Sequence, residues 1–281
     1  MELWFSEPHT KDVKISIRVK QQLYSGQSDY QKIDVYDTFE FGKILVLDGC
    51  IMLTEKDEFI YHEMITHVPM AINMQIRKVL VIGAGDGGTV NQLIKYKTIE
   101  KIDVVEIDRD VVKVSREFFD IAKSFDDERV TLYYEDGLRF VRNIINCYDL
   151  IIVDSTDPFG PGEGLFTKEF YGNCFNALTD DGILINQHES PFYTNDQLAM
   201  MRTHRRINSV FKNAFIYQAH IPTYPSGHWL FGYASKKRGV MPDMSWNMLG
   251  IKTRYYNLDL HRGAFAIPNY VKELLEEAKN E

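Results

Sequence analysis

The sequence predicts an α/β chain: a doubly wound, mostly parallel sheet preceded by a small all-β segment. Three observations predict it. From Arg77 onward, short continuous apolar runs alternate with helical stretches. Strands buried on both faces, with helices between them, give this pattern. One of the runs empties into Gly83-Ala84-Gly85-Asp86-Gly87-Gly88, a glycine turn between a strand and a helix. Before residue 55 the apolar residues alternate instead, as they do in half-buried strands.

The elements follow in order. Val13 to Val19 reads V-K-I-S-I-R-V, and Gln31 to Tyr36, Gly42 to Leu47 and Cys50 to Thr54 are further short strands. Turn signals at Ser25-Gly26, Phe41-Gly42 and Asp48-Gly49 separate them. Asp57 to Ala71 carries Phe59, Ile60, Met64, Ile65 and Val68 at helical spacing. The buried strands are Val79–Ile82, Ile102–Val105, Val130–Tyr133, Leu150–Val153 and Ile183–Ile185. Helices fall at Val90–Tyr96, Val111–Phe119, Leu138–Ile145 and Lys168–Leu178. Two tail strands, Ala214–His220 and Trp229–Ala234, precede a helix from Pro268. The boundary near residues 55–60 divides a β domain over residues 1–57 from a catalytic domain over 58–281.

Composition excludes several classes. The formal charge of −8 argues against nucleic acid and anionic membrane as partners. No apolar run reaches the roughly 20 residues of a membrane span, and the charged start does not read as a secretory signal. The three cysteines, Cys50, Cys147 and Cys174, form no CxxC pair. They suit reduced thiols in a cytoplasmic protein, and no metal-ligand spacing accompanies them. Met200, Met201 and Met248 read as packing residues.

The glycine turn and Glu106, about 20 residues past Gly85 at the end of the next strand, together point to a nucleoside site. Gly83 and Gly85 permit tight turning and close backbone approach. The turn alone leaves open NAD or an adenosylmethionine-type ligand. The acids choose between them. Strand ends carry Asp86, Glu106, Asp136, and then Asp154 with Asp157, where ligands of open α/β sheets bind. Asp86 would repel a pyrophosphate by roughly 4 kcal/mol at about 4 Å and an effective dielectric near 20. A sulfonium nucleoside with an amine tail would be attracted. Acids at one strand end commonly cap the next helix; acids at four consecutive ends ask for more. Taken alone, His62 on its mostly apolar helix reads as a structural histidine, and Tyr61 and Tyr224 as core aromatics.

Several motifs together resemble the spermidine synthase (polyamine aminopropyltransferase) family. They are Gly83-Ala84-Gly85-Asp86-Gly87-Gly88, Val104-Val105-Glu106-Ile107-Asp108, Asp136-Gly137 and Asp154-Ser155-Thr156-Asp157-Pro158. Glu58-Phe59-Ile60-Tyr61-His62-Glu63-Met64, Ile221-Pro222-Thr223-Tyr224-Pro225 and Arg254-Tyr255-Tyr256-Asn257 complete the set. The resemblance covers nearly the whole chain. It implies an N-terminal β domain on a Rossmann-like, methyltransferase-type sheet, assembled as a homodimer or homotetramer. It implies transfer of the aminopropyl group of decarboxylated S-adenosylmethionine to putrescine, giving spermidine and methylthioadenosine, with no cofactor beyond that co-substrate. A methyltransferase on the same fold is the competing reading.

By the same resemblance Asp154 is the catalytic base and holds the diamine with Asp157. Tyr61, His62, Gln187 and Tyr224 shape the diamine channel. Asp86 and Asp154 flank the aminopropyl amine, and Glu106 takes the ribose hydroxyls. Asp136 and Gly137 face the adenine, while Gln31 and Pro161 line the nucleoside pocket. The loop from Phe159 to Gly164 reads as a mobile lid. The bulky pair His228-Trp229 leaves acceptor length open.

Overall fold

The computed structural model describes residues 2–155 and 160–280, the side chains of 160, 161, 279 and 280 excepted. Five strands form the first sheet: β1 (Leu3–Pro8), β2 (Lys14–Gln27), β3 (Lys32–Thr38), β4 (Lys43–Leu47) and β5 (Cys50–Thr54). They pair antiparallel in chain order. A second sheet contains β6 (Lys78–Gly83), β7 (Lys101–Val105), β8 (Val130–Tyr133), β9 (Tyr148–Asp154), β10 (Leu178–Gln187), β11 (Asn213–His220) and β12 (His228–Ser235). Its order is β11-β12-β10-β9-β6-β7-β8. Strands β8 to β10 are parallel through β7, β6 and β9, and β12 enters antiparallel between β10 and β11. This is the Rossmann-like, methyltransferase-type sheet that the resemblance implies.

The helices are α1 (Glu58–Ile72), α2 (Gly88–Leu93), α3 (Arg109–Phe118), α4 (Gly137–Val141), α5 (Lys168–Ala177), α6 (Thr194–Asn208), α7 (Leu258–Ala264) and α8 (Asn269–Asn280). They cover both faces of the large sheet, which explains the unbroken apolar runs. Val79, Val81, Leu150 and Ile152 point into one core; Leu80, Ile82, Ile151 and Val153 point into the other. The small sheet docks on the large domain through Ile33, Val35, Leu45 and Leu53 against Val111, Val114 and Phe119. Among the described residues no helix is long and apolar enough to cross a membrane, and the three cysteines are free thiols.

Three sequence expectations are corrected. Ser25-Gly26 is no turn: β2 runs through it, pairing with Asp34 and Ile33. The Tyr24 ring lies over the bare face of Gly26, which supplies the side-chain cover a strand glycine lacks. The reversal comes at residues 28–31, where Ser28 N–H donates to the Gln31 carbonyl. β1 and α6 also went unread. Met248 is 82% exposed and packs nothing, whereas Met200 and Met201 are core residues.

Helix α1 is buried on nearly every side, so its polar side chains must find partners inside. Glu63 accepts from the backbone N–H groups of Arg254, Tyr255 and Tyr256 at 2.8, 2.8 and 2.9 Å. His67 Nδ1 shares a hydrogen bond of 2.7 Å with Tyr96 Oη, and that oxygen accepts from Trp246 Nε1. The Arg254-Tyr255-Tyr256-Asn257 motif is therefore a clasp that holds α1 from outside. Glu63→Gln, which turns an NH2 group toward backbone donors, is expected to lower unfolding free energy by ~3 kcal/mol. Chemical unfolding followed by tryptophan fluorescence checks it; a loss below about 1 kcal/mol would show that the clasp is not held by these bonds.

Candidate active site

The order of the large sheet reverses between β6 and β9, and ligands of such sheets bind in the crevice outside that point. Here the crevice is a cleft of roughly 1480 Å³, its open mouth included. β4 and β5 wall it on one side, and the β11–β12 turn on another.

The floor is the seam between β6 and β9. Gly83 pairs with Asp154, and Ala84 N–H donates to the Asp154 carbonyl at 2.8 Å. Gly83 has φ +88°, and a Cβ there would lie 2.0 Å from the Asp154 carbonyl oxygen. Only glycine lets the first strand turn away while the fourth stays against it.

On this seam Asp154 accepts from Tyr61 Oη at 2.7 Å on one oxygen and from Thr89 Oγ1 at 2.6 Å on the other. Burial, then the charge of Asp86, pushes its carboxyl above the ordinary range. Asp86 goes the other way. Burial would raise it, but the nearby His62 and the N–H of Gly88 at 2.6 Å hold it down. The two acids that face each other across the crevice thus have unequal proton affinities.

Further along the crevice Glu106 directly follows β7, 8% exposed, and accepts from Asp108 N–H at 2.9 Å. Burial, with the charges of Asp108 and Asp86 adding, outweighs its backbone bonds and raises it to about 7. Gln31 donates to Asp108 at 2.9 Å, which joins the small sheet to this end of the cleft. Asp136 caps α4 through Leu138 N–H at 2.8 Å and still lines the cleft with Gly137. Capping and a site position are therefore compatible.

At the opposite end Tyr224 donates to the Met52 carbonyl at 2.8 Å, its ring 4.8 Å from Trp229 and 6.1 Å from Tyr61. Gln187 donates to Glu189 at 2.8 Å. His228 turns away to Gln218 and Tyr270, while Trp229 lines the cleft.

The cleft thus gathers Gln31, Tyr61, His62, Gly83, Gly85, Asp86, Glu106, Asp136, Gly137, Asp154, Gln187 and Tyr224, all of them sequence-predicted. Asp157 and Phe159 lie outside the described residues. Pro161 lies in a 3₁₀ segment, Gly160–Phe166, its side chain not described. Sequence reasoning missed Glu58, Thr89 and Glu189, and left open the place of Trp229, which lines the cleft. Glu58 stood one helical turn before His62, a readable spacing. Glu189 follows the end of β10 and extends the row of strand-end acids; its φ of +69° gave no sequence signal. Among the described residues no group of three or more His, Cys, Asp or Glu is arranged to hold a metal ion.

Fold and site together define a Rossmann-like enzyme domain with an acidic switch-point cleft, set behind an N-terminal β domain. The chain belongs to the spermine/spermidine synthase family, the polyamine aminopropyltransferases. Residues 58–243 match the spermine/spermidine synthase domain, and residues 3–55 match the spermidine synthase tetramerisation domain. A polyamine aminopropyltransferase of Alkaliphilus oremlandii (strain OhILAs) is 64% identical over 281 residues, 99% of each chain. One of Clostridium perfringens (strain 13 / Type A) is 64% identical over 279 residues, covering 98% of this chain and 99% of its own. A crystal structure of spermidine synthase in complex with the transition-state analogue AdoDATO superimposes with a TM-score of 0.95 at 39% identity, covering 98% of this chain and 95% of that one. The spermidine synthase of Thermotoga maritima gives 0.93 at 38%, covering 98% and 94%.

The Glu106 geometry generates a stability prediction. A carboxyl raised to about 7 binds its proton more tightly folded than unfolded. Its stabilising effect is complete below the unfolded value near 4.5 and is lost as pH rises through about 7. The loss is on the order of 3 kcal/mol. Glu106→Gln is expected to match the wild type near pH 5 and to exceed it by that order at pH 8. Parallel unfolding curves at both pH values would contradict the assignment.

Proposed function

We propose that the chain is a spermidine synthase, which moves the aminopropyl group of decarboxylated S-adenosylmethionine to putrescine and releases methylthioadenosine. The observation that carries this is the pair Asp86 and Asp154, half-buried at the crevice with opposite shifts in proton affinity. The sulfonium donor supplies its own leaving group, so the reading calls for no cofactor besides this co-substrate. What the protein must supply is alignment and a proton acceptor.

The acceptor amine is protonated at pH 7. With a pKa like that of lysine, about 10.4, its neutral form costs roughly 4–5 kcal/mol. An exposed aspartate would be a poor acceptor for that proton. Burial makes Asp154 a stronger base. Tyr61 and Thr89 each occupy one of its oxygens, which leaves lone pairs for the amine and fixes the carboxylate plane. The tyrosine and tryptophan rings wall the tetramethylene chain, and Gln187 with Glu189 stands at the far end for the second ammonium. On the donor side Glu106 takes the ribose hydroxyls, Asp136 with Gly137 faces the adenine, and Asp86 pairs with the aminopropyl ammonium. Intact adenosylmethionine would bring a carboxylate against Asp86 and be rejected. The named tetramerisation segment supports assembly into a homodimer or homotetramer.

Incubation with decarboxylated S-adenosylmethionine and putrescine is expected to yield equimolar methylthioadenosine and spermidine by mass spectrometry. No methylthioadenosine from folded protein, or S-adenosylhomocysteine from intact adenosylmethionine, would sink the reading. Asp154→Asn is expected to lower kcat by about 10²–10⁴-fold, the range of general-base contributions, with the unfolding midpoint nearly unchanged. Near-normal turnover in that variant would remove Asp154 from the base role.

A further inference from the structure

Glu58 completes a chain of largely buried charges that the reaction as described leaves unused. His62 Nδ1 donates to Glu58 Oε2 at 2.6 Å, and Nε2, on the other edge of the ring, stands 3.6 Å from Asp86 Oδ1. The side chains of Glu58, His62 and Asp86 are 13%, 3% and 16% exposed. The ring is seated by an absence: a Cβ at Gly88 would lie 2.0 Å from His62 Cε1. Gly88, the last glycine of the turn, thus makes room for the imidazole.

Among the described residues the charged neighbours can be named. Glu58 faces the ring from its own helix, Asp86 from the glycine turn, and Asp154 from β9 beyond it. Tyr61 bonds Asp154, and Lys95, just past α2, is near Glu58 and Glu63. Burial favours the neutral ring, but a carboxylate at each nitrogen outweighs it and holds His62 protonated. Nδ1–H then points to Glu58 and Nε2–H to Asp86.

An ammonium arriving at Asp86 would stand about 6 Å from this imidazolium. At an effective dielectric near 20 that repulsion shifts the ring's protonation equilibrium by about a hundredfold. Glu58 retains Nδ1–H, so the departing proton is that of Nε2. The bared Nε2 then no longer competes for Asp86, which the ammonium takes alone. A histidine tautomer fixed by the bond at its other nitrogen behaves this way.

We propose that His62 is the resident counter-cation of Asp86, that the donor's aminopropyl ammonium replaces it, and that Glu58 is the positioning residue that holds Nδ1 protonated for the exchange. The step balances: the imidazolium gives one proton to water and becomes neutral, and Asp86 exchanges imidazolium for ammonium. The inference rests on the donor reading above.

Two nucleosides test it. Methylthioadenosine and the thioether S-adenosyl-3-thiopropylamine both lack the sulfonium and differ in whether sulfur carries a methyl or an aminopropyl group. Titration calorimetry of each into the full chain, in buffers of different ionisation enthalpy from pH 6 to 9, counts the protons released. Any proton shed by Glu106 is common to both and cancels. The amine-bearing ligand is expected to release at least about half a proton more per site. His62→Gln should abolish the excess, and Glu58→Gln should move it to lower pH. Equal release from the two ligands in the wild type overturns the proposal. An excess that survives in His62→Gln also overturns it, by placing the proton on Asp154. If neither nucleoside binds, the donor reading falls and the inference falls with it.

Discussion

One backbone contact underlies the site: the carbonyl of Asp154 against the bare face of Gly83. It joins β6 to β9 where the sheet order reverses, and it sets how close the two loops that build the cleft can come. The first loop carries Asp86 and the α2 start with Thr89; the second carries Asp154. With any side chain at 83 the strands would have to part, and the bond from Thr89 to Asp154 would be stretched with them. The usual account of such glycines is room for a ligand. At residue 83 the room is taken by the protein itself, and at residue 88 by His62.

Electrostatics follow from that closeness. Carboxylates brought together and taken out of water cannot all ionise freely. The fold assigns them different states by giving them different neighbours. Asp86 has a cation and an amide, Asp154 has two hydroxyls, and Glu106 has little beyond backbone N–H groups. The neighbours come chiefly from α1, whose Tyr61, His62 and Glu58 reach the cleft from a helix submerged in the core. α1 in turn stays in place because Glu63 grips the chain some 190 residues later in sequence. A clasp outside the cleft lining thus holds its acids in register.

Much of this was legible in the sequence because the signals were strong and local. Val79–Ile82 and Leu150–Val153 are unbroken apolar runs, and an acid at the end of a buried strand has few places to go except the crevice. Other elements gave weak signals for physical reasons. Helix α6 carries Asn195, Asp196, Arg202, His204, Arg205 and Arg206 around a short apolar face of Ala199, Met200, Met201 and Ile207, so its helical period is faint. β1 is a strand of the small sheet with Leu3 and Trp4 exposed, and it shows no burial pattern without its partner β2. Ser25-Gly26 has turn residues, but Tyr24 cross-covers the glycine. At the site, Glu189 stayed hidden, because it sits in a left-handed backbone conformation that no neighbouring residue announces.

The central claim is that acids at consecutive strand ends read a cationic nucleoside in one orientation. A crystal structure with bound S-adenosyl-3-thiopropylamine tests it most directly. The account predicts adenine beside Asp136 and Gly137, ribose hydroxyls on Glu106, and the ammonium within hydrogen-bond distance of Asp86. A nucleoside seated elsewhere, or one whose amine points away from Asp86 and Asp154, would contradict it.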